Sequence, residues 1–282
     1  MHVPVEPIVS IVVPAHNEEA VIAANLRWLL QDARPGEFDV VVVPNGCSDR
    51  TAELARTVAG VRVVESPRPG KVAALHVGDE ACKTFPRIYL DADIELSSDS
   101  VRALVTAAGR PGVLACAPAV RLDLSGVRWM ARRTHRVHDR LIAPNRALAG
   151  VGVYVLTEAG HRRVFPIPDI ISDDGWVHGS FQPHERVVVS EAVSVVRPAR
   201  TVRAHLKRRI RVRAGNKQLA AASRGAPEGR LGPGHLVRLV RRREVSPLDA
   251  GCYLVVLAAD RALSRLRRGP AIWGSDGSSR TG

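Results

Sequence analysis

The sequence predicts an α/β fold: a mixed, mainly parallel sheet flanked by helices, with a helical extension at its C-terminal end. Two observations predict it. Continuous apolar runs, "IVSIVVPA" (8–15) and "FDVVVVPN" (38–45), suit strands covered on both faces. Segments of helical spacing fall between such runs with short connections, the pattern of parallel strands joined by crossover helices. In sheets of this kind a ligand crevice lies beyond the carboxyl ends of the strands.

Taken in order, the first strand (8–15) leads into a helix over 17–33, with apolar residues at Val21, Ile22, Leu26, Leu29 and Leu30. Asn17 is placed to cap that helix, and Glu18 and Glu19 fall in its first turn, where the dipole favours acids. A second strand (38–45), a helix (48–59) with Asp49 at its start, a third strand (61–66) and a helix (70–82) beginning at Gly70 and Lys71 follow. The fourth strand, "RIYLDAD" (87–93), ends in two carboxylates. Residues i and i+2 of an extended chain point the same way, so Asp91 and Asp93 would repel. Either a turn fans them into solvent or a divalent cation lies between them. Asn17, Asn45, Lys71, Asp91 and Asp93 all fall at or just past strand ends.

Beyond residue 100 the pattern continues less regularly. A helix is expected over 100–109, a strand over 113–123 and a basic helix over 127–143. Next come a strand after two glycines (150–157), a carboxylate cluster in "IPDIISDDGWVHGSF" (167–181) and one or two strands over 186–201. An arginine-dense helix (202–223) closes the main domain, expected over 1–223. Residues 224–246, opening on "RGAPEGRLGPG", read as a linker, 247–268 as an amphipathic helix with a basic end, and 269–282 as a disordered tail.

The 282 residues are 45% hydrophobic and 24% charged, ordinary for a folded protein, whereas aromatics at 4% leave the core to Val, Leu, Ala and Ile. The formal charge of +13 is not ordinary, and 37 of the 41 basic residues are arginine. Such a surface favours anionic partners, although genomic composition produces the same bias. Cys47, Cys82, Cys116 and Cys252 have no metal-ligand or redox spacing and read as reduced. No signal segment is visible, and the apolar run at 251–259 is too short to span a bilayer. A cytoplasmic protein is expected. The 247–268 helix either packs its apolar stripe on the domain or makes peripheral contact with anionic membrane at the inner face of the cell membrane.

The series "VSIVVPAHNEE", "VVVVPNGCSDRTAELA", "GKVAALHVG", "YLDADIEL", "GVGVYV", "SDDGWV" and "RRIRVRAG" resembles, in order and spacing over about residues 8–220, the inverting family 2 glycosyltransferases. The resemblance implies a GT-A (Rossmann-like) fold, with a nucleotide-binding half at about 8–100 and an acceptor half at about 101–223. It implies a hexosyltransferase-type enzyme that moves a sugar from a UDP- or GDP-sugar to a hydroxyl acceptor of unknown identity. Asp91 and Asp93 would carry Mg2+ or Mn2+, hard cations suited to oxygen ligands and phosphate. Pro14, Ala15, Glu18, Asn45, Lys71, Asp91 and Arg211 would hold the nucleotide or its diphosphate. Asp174 would be the base, with Asp173 beside it raising its pKa by like-charge repulsion. Asp169 is a weaker alternative for the base.

Two departures stand out. The family form has two aspartates where Pro44 and Asn45 stand, which leaves the nucleobase open. Where the family has Gln and Trp, this chain has Arg208 and Val212, which argues against a processive synthase. His205 is a possible third metal ligand by analogy, but is read first as a surface histidine. A nucleotidyltransferase fits less well, since "PAHNEEA" lacks a glycine-rich, arginine-bearing loop. A basic nucleic-acid-binding module would leave the strand-end carboxylates unexplained and lacks stacking aromatics. No specific nucleic acid is expected.

Overall fold

A computed structural model describes residues 6–66, 68–222 and 233–266. The chain forms two compact units. One holds the residues up to Arg121 together with Ala147–Val196. The other holds Leu122–Arg146 together with the residues from Arg197 onward.

The first unit is built on an eight-stranded sheet of order β3-β2-β1-β4-β7-β6-β8-β5. Strands β1 (Val9–Ala15), β2 (Phe38–Pro44), β3 (Val61–Val63) and β4 (Arg87–Leu90) run parallel, with Ile11 beside Val40 on one side and Ile88 on the other. Every residue of β1 and β2 is buried, as their continuous apolar runs require. Strand β7 (Val153–Leu156) is antiparallel to β4 and to β6 (Ala115–Leu122). Strand β5 (Glu95–Leu96) pairs antiparallel with β8 (Arg186–Val196), a single strand where one or two were expected.

Helices α1 (Ile22–Leu30), α2 (Thr51–Arg56), α3 (Lys71–Ala81) and α4 (Ser98–Ala108) connect these strands. Helix α3 lies so close to the sheet that a Cβ on Gly78 would fall 2.4 Å from Val12 Cγ1 and 3.0 Å from Val43 Cγ2. That approach packs Val72, Ala74 and Leu75 into the core with Val12, Val43 and Tyr89. Each fully buried aliphatic side chain there contributes about 1.5–3 kcal/mol.

Two expectations fail locally. Helix α1 begins at Ile22 rather than 17, with no acid in its first turn. Asn17 takes a positive φ of 53° and accepts from the Ser48 backbone N–H at 2.8 Å, so it ties the loop after β2 instead of capping α1. Its short polar side chain tolerates that backbone, and the loop supplies a donor. Strand β4 likewise stops at Leu90. The Asp91 N–H bonds the Gly152 carbonyl at 2.9 Å, and Ile94 N–H closes a turn on the Asp91 carbonyl at 3.1 Å. Asp91 and Asp93 therefore sit in a turn and do not share one face of a strand.

The second unit is helical: α5 (Trp129–Ile142), α8 (Val202–Ala221), α9 (Pro233–Arg241) and α10 (Pro247–Leu266). Residues 233–241, expected as linker, form a helix because Leu236, Leu239 and Val240 turn one stripe toward Val137, Leu141 and Val245. Residues 224–232 of the expected linker and the expected tail at 269–282 lie outside the described residues. His205 is buried rather than on the surface, with its ring edge-on to His135 at 5.0 Å between centroids. Burial, with His135, His138 and two arginines beside it, pushes it down to about 3.

Candidate active site

A cleft opens in the first unit at the carboxyl ends of β1 and β4, with about 260 Å3 of unfilled space, part of it open to solvent. Pro14, Lys71, Asp91, Tyr154, Asp173 and Asp174 are among the residues that line it. Strand order reverses between β1 and β4, and such a switch point leaves a crevice. Residues from five separate sequence motifs thus meet in one place.

Lys71 sits at the first position of α3. Its Nζ lies 2.7 Å from Asp91 Oδ1 and 3.0 Å from Asp173 Oδ1, so it bridges the strand-end turn and the "SDDGW" segment. Burial alone would favour the neutral amine, but Asp173, Asp91 and Asp174 outweigh it and hold the lysine's pKa above its usual value. Asp173 opens helix α7 (Asp173–His178) with only 4% of its side chain exposed. Burial pushes it up to about 6; Lys71 opposes that, and Asp174 and Asp91 reinforce it. Asp173 is therefore itself a raised carboxyl, with its like-charge neighbour Asp174 adding to the shift. The reason is burial: a carboxylate deep in the protein has more hydration to lose.

Asp174 is more accessible and is held by three donors: Ser172 Oγ at 2.9 Å, Gly175 N–H at 2.7 Å and Gly150 N–H at 2.8 Å. The glycine pair of "GVGVYV" thus ties the site together, with Gly150 on Asp174 and the Gly152 carbonyl on the Asp91 N–H. Gly152 has a φ of +70°, and a Cβ there would fall 2.4 Å from Ile94 Cγ1.

The other candidate residues fall as follows. Pro14 lines the cleft, and the Ala15 carbonyl accepts from the Asn45 N–H at 2.9 Å. Glu18 is buried and its backbone N–H donates to Thr51 Oγ1 at 2.7 Å. Asp49 accepts from the Thr51 N–H and also from the Glu19 N–H, each at 3.0 Å. Asn45 is 2% exposed, and its amide donates to the Gly70 carbonyl and accepts from the Gly70 N–H. Those bonds position Gly70, and with it Lys71. Asp169 is exposed and does not line the cleft. Arg211 lies on α8, and α8 and His205 belong to the other unit.

Several contributors were missed in the sequence. Asn25, on the buried side of α1, donates to the Ala92 carbonyl at 2.8 Å and so anchors the Asp91 turn. Its signal was a polar residue at i, i+3 spacing with Ile22. Tyr154 reaches Asp173 at 3.5 Å and stacks on Tyr89, with ring centroids 4.9 Å apart. Tyr89 donates to Asp79, which also accepts from Arg87 and His161. No sequence signal marks that network, because separations of 8, 10 and 82 residues across different elements follow no helix or strand period.

The donor set bears on the implied metal. Among the described residues no group of three or more His, Cys, Asp or Glu is gathered to hold a metal ion. Asp91 nevertheless already faces a cation, the Lys71 ammonium, with its side chain 37% exposed. One or two carboxylates, with the remaining ligands from phosphate and water, is how Mg2+ and Mn2+ are commonly held. The residues fit a metal that arrives with a diphosphate.

A family model, Glycosyl transferase family 2, matches residues 10–164. The chain belongs to that family. This glycosyltransferase is 31% identical over 183 residues to an uncharacterised glycosyltransferase of Mycobacterium tuberculosis, covering 60% of this chain and 80% of that one. It is 32% identical over 136 residues to an undecaprenyl-phosphate 4-deoxy-4-formamido-L-arabinose transferase of Pseudomonas aeruginosa, covering 44% of this chain and 40% of that one. Its fold is similar to a mannosyltransferase of Pyrobaculum calidifontis, solved in complex with GDP-Man and Mn2+. The TM-score is 0.60 at 19% identity, over 92% of this chain and 76% of that one. The family 2 chain is thus a glycosyltransferase of GT-A fold.

Proposed function

We propose that the enzyme transfers a sugar from a nucleoside-diphosphate sugar, a UDP- or GDP-sugar, to a hydroxyl acceptor by one in-line displacement that inverts the anomeric carbon. It makes one transfer per encounter. The observation that carries this reading is the meeting of Lys71, Asp91, Asp173 and Asp174 around one cleft at a sheet switch point.

The chemistry needs a group to take the acceptor proton while the new bond forms. Asp174 suits this better than Asp173. Asp173 also lines the cleft but has 4% of its side chain exposed and is paired with Lys71, whereas Asp174 lies there more openly. The acceptor oxygen bonds the anomeric carbon, its proton passes to Asp174, and the bond to the diphosphate oxygen breaks with its electron pair. Ser172, Gly175 and Gly150 hold the Asp174 carboxylate in place for that transfer. Lys71 contributes positive charge beside the departing diphosphate. Asp91 and Asp93 would hold Mg2+ or Mn2+, which when bound neutralises charge on that diphosphate.

Replacing Asp174 by Asn tests the assignment. Turnover should fall by about a hundredfold or more, the usual scale for a lost general base. Donor binding, read by calorimetry with UDP- and GDP-sugars and Mn2+, should stay close to wild type. A variant that keeps full turnover removes Asp174 from the role.

A further inference from the structure

Helix α10 is inside out for a surface helix. Its two acids face inward: Asp249 is 8% exposed and paired with Arg133 at 2.6 Å, and Asp260 is 4% exposed and paired with Arg209 and Arg213. Its outward face is apolar. Leu248, Leu254 and Val255 are 58%, 51% and 61% exposed, and Gly251, Ala258 and Ala262 lie between them on the same arc. Among the described side chains of α10, Arg261 is the one exposed charge. A helix that turns leucine and valine to water and keeps its carboxylates inside has a partner to meet.

The charge distribution says what that partner is. The described residues of the helical unit carry 21 basic and five acidic side chains, whereas those of the sheet unit carry 15 basic and 21 acidic. The excess of positive charge is therefore confined to one unit. Helix α9 packs beside α10 and exposes Val237 and Arg238, and Arg241, Arg242 and Arg243 follow, also exposed. We infer that the outward face of α10, with the α9 arginines, is a docking surface for an anionic lipid bilayer. Apolar side chains enter the acyl boundary while guanidinium groups meet lipid phosphates. A second copy of the chain would bring an equally basic unit against this one, and like charges at contact distance repel. Nucleic acid matches the charge, but among the described side chains the exposed face of α10 offers bases no aromatic ring and no hydrogen-bonding group besides Arg261.

The test is flotation of the full chain with vesicles of phosphatidylcholine alone or mixed with phosphatidylglycerol, at low and high salt. It reads no activity, so it is independent of the catalytic assignment. Flotation should occur with the mixed vesicles only and weaken with salt. Arg241→Ala, Arg242→Ala and Arg243→Ala should each cost roughly fivefold in affinity. The pair Leu254→Glu and Val255→Glu should lose tenfold or more, and the milder Leu254→Ala with Val255→Ala should weaken binding with circular dichroism unchanged. No flotation, equal flotation on both vesicle types, or full flotation of the Glu pair overturns the inference. So does a dimer in gel filtration, or binding of a random oligonucleotide, that the Glu pair abolishes.

Discussion

Replacing Lys71 by Met probes the charge balance of the cleft most directly. The ammonium lies against two carboxylates, but they are not equivalent. Asp91 has more than a third of its side chain exposed, so its share of the pairing is screened and small. Asp173 has 4% exposed, and an ionised carboxylate left there without its partner costs about 3–5 kcal/mol. It escapes that cost by taking a proton. Burial, reinforced by Asp174 and Asp91 and opposed by Lys71, raises its pKa from the ordinary 3.8 to about 6. A folded carboxyl raised in this way binds its proton more tightly than the unfolded chain does, so stability falls as pH rises between the two values. In the wild type that window runs from about pH 4 to pH 6 and amounts to about 3 kcal/mol. Without Lys71 the folded pKa moves higher and the fall continues beyond pH 6. Urea unfolding in EDTA should therefore show a loss of about 1 kcal/mol or less at pH 5, where Asp173 is protonated in both proteins. At pH 8 the loss should be about 3 kcal/mol. A penalty equal at the two pH values, or absent at both, would refute the reasoning.

Two further substitutions follow from the same geometry. Asn45→Ala removes both bonds to Gly70 and should cost about 2 kcal/mol in thermal or urea unfolding. It should also weaken nucleotide-sugar binding in calorimetry by loosening Lys71; unchanged affinity would leave the amide with a purely local role. Gly152→Ala places a Cβ against Ile94 at a positive φ and should destabilise by about 2 kcal/mol. Ile94→Ala relieves the clash but not the backbone strain, and by itself empties a buried site at a cost of about 2–5 kcal/mol, so in melting the double variant should lose less than the sum of the two single losses.

The strands and crossover helices of the sheet unit were legible because each depends on local pattern. Continuous apolar runs at 8–15 and 38–45 suit strands covered on both faces, and the strands they form, β1 and β2, are wholly buried. The site was legible to the extent that its residues stand at strand ends. Asn45 shows the limit. Its position was read as a place to meet a nucleobase, and nothing in the spacing showed that one amide N–H and the amide oxygen bond Gly70, a residue 25 positions away. Asn17 was read as a cap, but its partner Ser48 comes from another loop. Hydrogen-bond partners distant in the chain leave no trace in spacing.

What the chain alone determined was the alternation of elements, the location of the crevice and the set of acids and the lysine that could meet there. What only the tertiary structure decided was which of those groups touch. It placed Lys71 between Asp91 and Asp173, gave the raised pKa to the buried acid, and turned the apolar side of α10 outward. The physical reason is that periodicity assigns residues to a stripe without saying which stripe is covered. On α10 the stripe that carries Asp249 and Asp260 goes inside, where Arg133 and Arg213 pair with it.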